Sequence, residues 1–125
     1  MNHFKIYAPT AARVLMGVLF LLAGVGKLSD VAGFTGYMTS AGVPGILAWP
    51  VILLEILGGL ALIVGFKARF AALMLAGFTL LAAMLYHFVP ADQMQMTMFL
   101  KNLAVAGGLL LVTAHGAGRF ALDRA

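Results

Sequence analysis

The chain has no cysteine, so it can form no disulfide and offers no thiolate. That excludes thiol-relay chemistry, and any redox role needs a bound cofactor or a partner subunit. Charge is nearly as scarce: Asp and Glu number 4, Lys and Arg 8, and together they make up 10% of 125 residues. Ordinary soluble domains are about a quarter charged. With 63% hydrophobic residues and a mean hydropathy of +1.06, the polar surface of a soluble domain is missing, and the composition is that of a membrane protein. The net charge of +4 would point to nucleic acid in a soluble chain. Here the basic residues stand at the ends of apolar runs, where they act as topology determinants, so no nucleic-acid partner is expected and the bilayer is the surrounding medium. A cleaved secretory precursor is not expected either, because Met1 to Lys27 lacks a convincing small-x-small cleavage site and further spanning runs follow.

What is present is apolar sequence of spanning length. A hydrocarbon core of about 30 Å needs about 20 apolar residues at 1.5 Å rise, and four stretches qualify, roughly 9–28, 45–66, 68–89 and 94–116. The expected fold is therefore all-α, an integral membrane four-helix bundle forming one domain over residues 1–125. Pro9, Pro44, Pro50 and Pro90 fall where helix ends belong, and Asp92 is placed to cap the fourth span. The connection Ser29 to Val43 carries Phe34, Tyr37 and Met38 at helical spacing among polar residues, which predicts a short amphipathic helix on the membrane surface. Trp49 is placed as an interfacial anchor. Candidate packing pairs of small residues are Gly17 with Gly24, Ala61 with Gly65, Ala72 with Ala76 and Ala104 with Gly108.

Lys5, Arg13, Lys67, Arg69, Arg119 and Arg124 lie on the side that carries both termini, against Lys27 and Lys101 on the other. That bias predicts cytoplasmic termini. Arg13, Arg119 and Asp123 are expected to meet at the cytoplasmic rim as exposed ion pairs, anchoring more than acting.

Glu55 interrupts the run Ile46 to Phe66, where Trp49 has the only other polar side-chain group. An acid in hydrocarbon is costly and is a site hypothesis by default. The topology sets Lys27, His87, Lys101 and Asn102 toward the same extracytoplasmic half, so the four spans deliver polar groups to one place. One reading is a pocket for a neutral or anionic polar head group; the other is glue, with Glu55 paired to Lys27 or Lys101 to fix helix register. Burial favours a neutral Glu55 and a nearby lysine favours its carboxylate, two opposed effects. A bis-histidine haem is disfavoured because His87 and His115 fall near opposite faces. No metal is expected, because ligand spacing is absent and two lysines would repel a cation. Ser29 and Ser40 have no plausible base for nucleophilic catalysis.

The first span reads Arg13-x3-Gly17-x2-Phe20-x3-Gly24-x2-Lys27, followed by Leu54-Glu55-Ile56-Leu57-Gly58-Gly59 with Gly65 and Arg69, then His87, then Gly118-Arg119-Phe120-Ala121-Leu122-Asp123. This order resembles the DoxX family of small four-span membrane proteins over nearly the whole chain. The family includes subunits linked to quinone-dependent sulfur oxidation and to membrane oxidoreductase assemblies. The resemblance implies a redox-associated subunit of a bacterial-type inner membrane, active only within a quinone-linked complex and served by a redox partner subunit. On that reading a quinone or similar lipid-soluble molecule sits in the pocket, Lys27, Lys101 and Asn102 donate to its oxygens, and Glu55 and His87 exchange protons. The alternative is a non-catalytic scaffold or assembly subunit whose polar cluster is purely structural. A proton-coupled carrier is less favoured, and a homo-oligomer stays open.

Overall fold

The computed structural model describes residues 2–123, and Arg124, counted above for topology, lies outside them. Among the described residues all regular structure is helical. Helix α1 spans Asn2–Leu28, α2 Val31–Ser40, α3 Ala48–Val64, α4 Ala68–Ala82 and α5 Gln93–His115; a one-turn 3-10 helix, Gly45–Leu47, leads into α3, and a π-helical turn, Ala83–His87, extends α4. Four of these segments are long and apolar enough to cross a bilayer: His3–Leu28, Gly45–Val64, Ala68–His87 and Gln93–His115.

Helix α1 starts at Asn2 rather than near Pro9. A proline within a helix removes one ladder donor, and here the helix continues through it. Asp92 caps α5, its carboxylate accepting from the amides of Met94 and Gln95 at 3.0 and 3.2 Å. Gly65 ends α3 in the left-handed region at φ 75°, a conformation that glycine adopts without steric cost.

The spanning helices form a ring in the order α1, α3, α4, α5, with α1 packed along α3 and α5 along α4 over most of their lengths, while α1 and α5 meet only briefly. Phe20, Leu62, Leu75 and Leu109 supply one large core side chain from each. Leu15, Leu22, Leu57, Leu81 and Leu111 point outward, the inside-out pattern that lipid requires. Between α1 and α3 the contact is backbone on backbone. A Cβ on Gly17 would lie 2.7 Å from the Gly59 carbonyl oxygen, and one on Gly59 would lie 2.7 Å from the Gly17 oxygen. Gly24 stands 3.2 Å, measured from such a Cβ, from the Cβ of Glu55. Ala72 and Ala76 are buried as packing positions, whereas Ala104 faces outward and only Gly108 of that pair meets a neighbour, Met16.

The expectation of an exposed Arg13 ion pair is overturned. Arg13 is 0% exposed, and its guanidinium donates to five backbone carbonyls: Nε to Ala117, Nη1 to Leu62 and Ile63, and Nη2 to Arg119 and Phe120. Carbonyls at the C-terminal turn of α3 carry the negative end of the helix dipole, which suits a cation. Residues 116–123 are thereby bound across that end of the bundle. Thr10 Oγ1 donates to the Arg119 carbonyl, the amides of Leu122 and Asp123 donate to the carbonyls of Val64 and Gly65, and the Asp123 carboxylate accepts from the Lys67 amide at 3.1 Å.

Candidate functional site

At the other end of the bundle lies a cavity of about 410 Å³ whose wall includes Lys27, Glu55, His87, Lys101 and Asn102. All five sequence-predicted residues therefore share one space. Each owes its place to the helix that carries it. Gly17, Phe20 and Gly24 are buried on α1 at spacings that also carry Lys27 onto the face packed on α3. Ile52, Glu55, Gly59 and Leu62 form the opposing buried face of α3. Asn102 heads the buried stripe Asn102, Ala106 and Leu109 on α5. His87 closes the π-helical turn before Val89-Pro90, an arrangement in which π-turns are frequently found at functional sites.

Glu55 is 4% exposed, and the ammonium of Lys27 lies 2.9 Å from its Oε1, so of the two lysines weighed as its partner the contact is made by Lys27. The contact is a close ion pair that ties α1 to α3. Lys27 also stands 5.2 Å from the centre of the Phe34 ring, a cation–π distance that holds its stem over the cavity. His87 Nδ1 is 2.7 Å from Gln95 Oε1. An amide oxygen only accepts, so Nδ1 carries the proton and a neutral ring keeps a lone pair on Nε2. Asn102 Nδ2 makes a long 3.5 Å contact to the Thr79 carbonyl. Lys101 is exposed at the margin.

The remaining wall is largely aromatic. Phe20, Phe34, Tyr37, Phe78 and Tyr86 surround the polar groups, with the Tyr37 and Tyr86 rings 5.1 Å apart. Helix α2 spans Val31–Ser40, and through Phe34 and Tyr37 it contributes to this wall. Thr79 was missed from the sequence. It is 3% exposed, its Oγ1 has no hydrogen-bond partner among the described residues, and it lines the cavity. The signal was available, because Thr79 is the one hydroxyl deep in the apolar run that leads to Tyr86 and His87. Chemically the space offers an acid, two ammonium groups, an imidazole, an amide and hydroxyls inside apolar, flat-faced walls. No group of three His, Cys, Asp or Glu gathers as a metal site among the described residues.

The chain is 49% identical over 113 residues to inner membrane protein YqjF of Escherichia coli, covering 90% of this chain and 87% of that one. It is 29% identical over 120 residues to inner membrane protein YphA of the same organism, covering 90% and 86%. The putative oxidoreductase CatD of Bacillus subtilis is 27% identical over 73 residues, 58% of this chain and 54% of that one. No solved structure matches the chain significantly. The DoxX family model matches residues 8–88, which include most of α1, all of α2, α3 and α4, and three of the five predicted cavity residues, Lys27, Glu55 and His87. The chain is a four-span membrane protein that belongs to the DoxX family.

Proposed function

We propose that this protein is an inner-membrane, redox-associated subunit that binds the head group of a quinone or similar lipid-soluble aromatic molecule in the cavity between its four spans. The observation that carries the reading is the convergence of Lys27, Glu55, His87, Lys101 and Asn102 on one space walled by five aromatic rings. A volume of about 410 Å³ lies within the range of small-molecule sites, which are mostly apolar with a few placed polar groups. Leu19 and Met98, both partly open to the exterior, line the cavity where α1 and α5 meet only briefly. A lipid-soluble ligand enters there from the bilayer, its tail remaining among lipid. Lys27, Lys101 and Asn102 then donate to ring oxygens while Glu55 and His87 take up or release protons. The names of the Escherichia coli relatives support the inner membrane, and that of the Bacillus subtilis relative supports a redox association. The excess of Lys and Arg at the end holding Arg13, Lys67, Arg69 and Arg119 supports cytoplasmic termini and an extracytoplasmic cavity.

A scaffold reading has one observation in its favour, the Lys27–Glu55 ion pair between α1 and α3. Mass spectrometry of small molecules extracted from the purified protein, beside the same measurement on Glu55→Gln, separates the two. The head-group reading expects a quinone from wild type and its loss from a variant that keeps its thermal stability. A wild type free of quinone, flavin and haem, with a variant that merely melts earlier, supports the scaffold and sinks the pocket.

A further inference from the structure

A second recess lies on the outside of the bundle, between α3 and α4. These helices follow one another through a short turn, yet they pack less closely than α1 with α3 or α4 with α5. The gap between them is a groove of about 720 Å³ that shares no lining residue with the cavity holding Glu55. On α3 its lining runs from Pro50 to Val64, a length of about 21 Å along the helix axis. Gly58, Ala61 and Ala71 are the small residues of its floor, and Leu57, Phe70 and Met74 stand out around them, each 47% exposed or more.

Among the described residues that line the groove, one is charged: Lys67, in the turn between α3 and α4. Its amide donates to the Asp123 carboxylate at 3.1 Å, which ties the turn to the tail. Its ammonium stands 5.8 Å from the centre of the Phe66 ring, itself part of the groove wall. The groove is thus apolar along its length and cationic at one end, the pattern of an acyl chain joined to an anionic head.

The charge of the whole bundle favours the same ligand. The end with Lys67 also carries Lys5, Arg13, Arg69 and Arg119, against Asp123 as its one acid among the described residues. The other end has Asp30, Glu55 and Asp92 against Lys27 and Lys101. Basic residues at a membrane surface attract anionic lipid. A second copy inserted in the same orientation would set its own basic end against this one, so the charge that draws a lipid opposes that dimer.

We infer that the α3–α4 groove is a binding site for an anionic phospholipid, one acyl chain lying along α3 between Leu57, Phe70 and Met74 and the phosphate meeting the Lys67 ammonium. The site is separate from the head-group cavity and stands whether or not that cavity binds a ligand.

The test is photo-crosslinking of the detergent-purified full chain with phosphatidylglycerol carrying a diazirine on one acyl chain, mapped by peptide mass spectrometry. Native mass spectrometry beside it compares unlabelled phosphatidylglycerol with the uncharged diacylglycerol of the same chains. Crosslinks are expected to concentrate on Leu57, Phe70 and Met74. Phosphatidylglycerol is expected to bind about fivefold more tightly than the diacylglycerol, the size of the attraction between one lysine and an anionic lipid surface. Lys67 is exposed, so its variants are expected to fold; Lys67→Gln loses the preference and Lys67→Arg keeps it. Crosslinks spread evenly over other outward-facing residues, such as Leu22 and Leu111, overturn the groove as a site. Equal binding of the two lipids, or an unaltered preference in Lys67→Gln, overturns the phosphate contact and with it the anionic ligand. Chain-to-chain crosslinks at Leu57 and Phe70 put a second copy in the place of the lipid.

Discussion

Arg13 and Glu55 are both ionisable and both buried, and the fold handles them in opposite ways. Every N–H of Arg13 meets a carbonyl, so the guanidinium has nothing left to offer a ligand. Glu55 has one neighbouring ammonium, 2.9 Å from its Oε1, and lines the cavity. The arginine is committed wholly to backbone, whereas the acid and its lysine both face an open space. Arg13→Lys, with three donors in place of five, is expected to lower the melting temperature in detergent. Arg13→Met, with none, is expected to cost about 3 kcal/mol or more, since several buried carbonyls lose their partner at once. Circular dichroism melts of the two variants check this, and a Met variant as stable as wild type removes the clamp. Arg13 was misread from sequence for a geometric reason. A span starting near Pro9 puts it one turn from the interface, but α1 starts at Asn2, eleven residues before Arg13, and the chain folds back over the same end. Glu55 was legible because an acid in an apolar run has few places to go.

At the scale of elements, the α1–α3 contact decides whether the site exists. The positions Arg13, Gly17, Phe20, Gly24 and Lys27 lie on one helical face, and the glycines let backbones touch so that Lys27 reaches Glu55. Gly59→Val is expected to force the helices apart and destabilise the protein by about 1–3 kcal/mol, because its side chain would meet the Gly17 oxygen and the Leu21 amide, both backbone atoms. Gly107→Ala is the control: nothing lies within 4 Å of the added methyl, and the melting temperature should hold. Equal melting temperatures for the two variants would discount close backbone approach as the basis of this contact. Gly17 and Gly24 were readable as a packing pair from their spacing, and the rest of the face came from the family resemblance. The outward turn of Ala104 was not, because a small residue marks a possible contact without saying which neighbour arrives.

The whole molecule has a basic end and a cavity end, and the charge bias predicts that the basic end is cytoplasmic. A fluorescent protein fused after the tail should fold and fluoresce in the cytoplasm, while alkaline phosphatase at the same point should stay inactive. The reverse pattern would place the cavity on the cytoplasmic side. The four spans and the meeting of Lys27, Glu55, His87, Lys101 and Asn102 were legible, since hydropathy sets the spans and helix length sets the depth of each polar group. The docking of residues 116–123 was not legible. That segment has no periodicity, and it is held chiefly by backbone carbonyls, which every residue carries.

That docking has a consequence for the order in which the protein is made. Arg13 leaves the ribosome 104 residues ahead of the Ala117 carbonyl that receives its Nε proton. Until then its Nε and Nη2 donors have only lipid phosphates or water to bond, while Nη1 can already reach the Leu62 and Ile63 carbonyls. Arrival of the tail covers the remaining donors and the Val64 and Gly65 carbonyls together, so this end of the bundle is completed only by the last segment to be made.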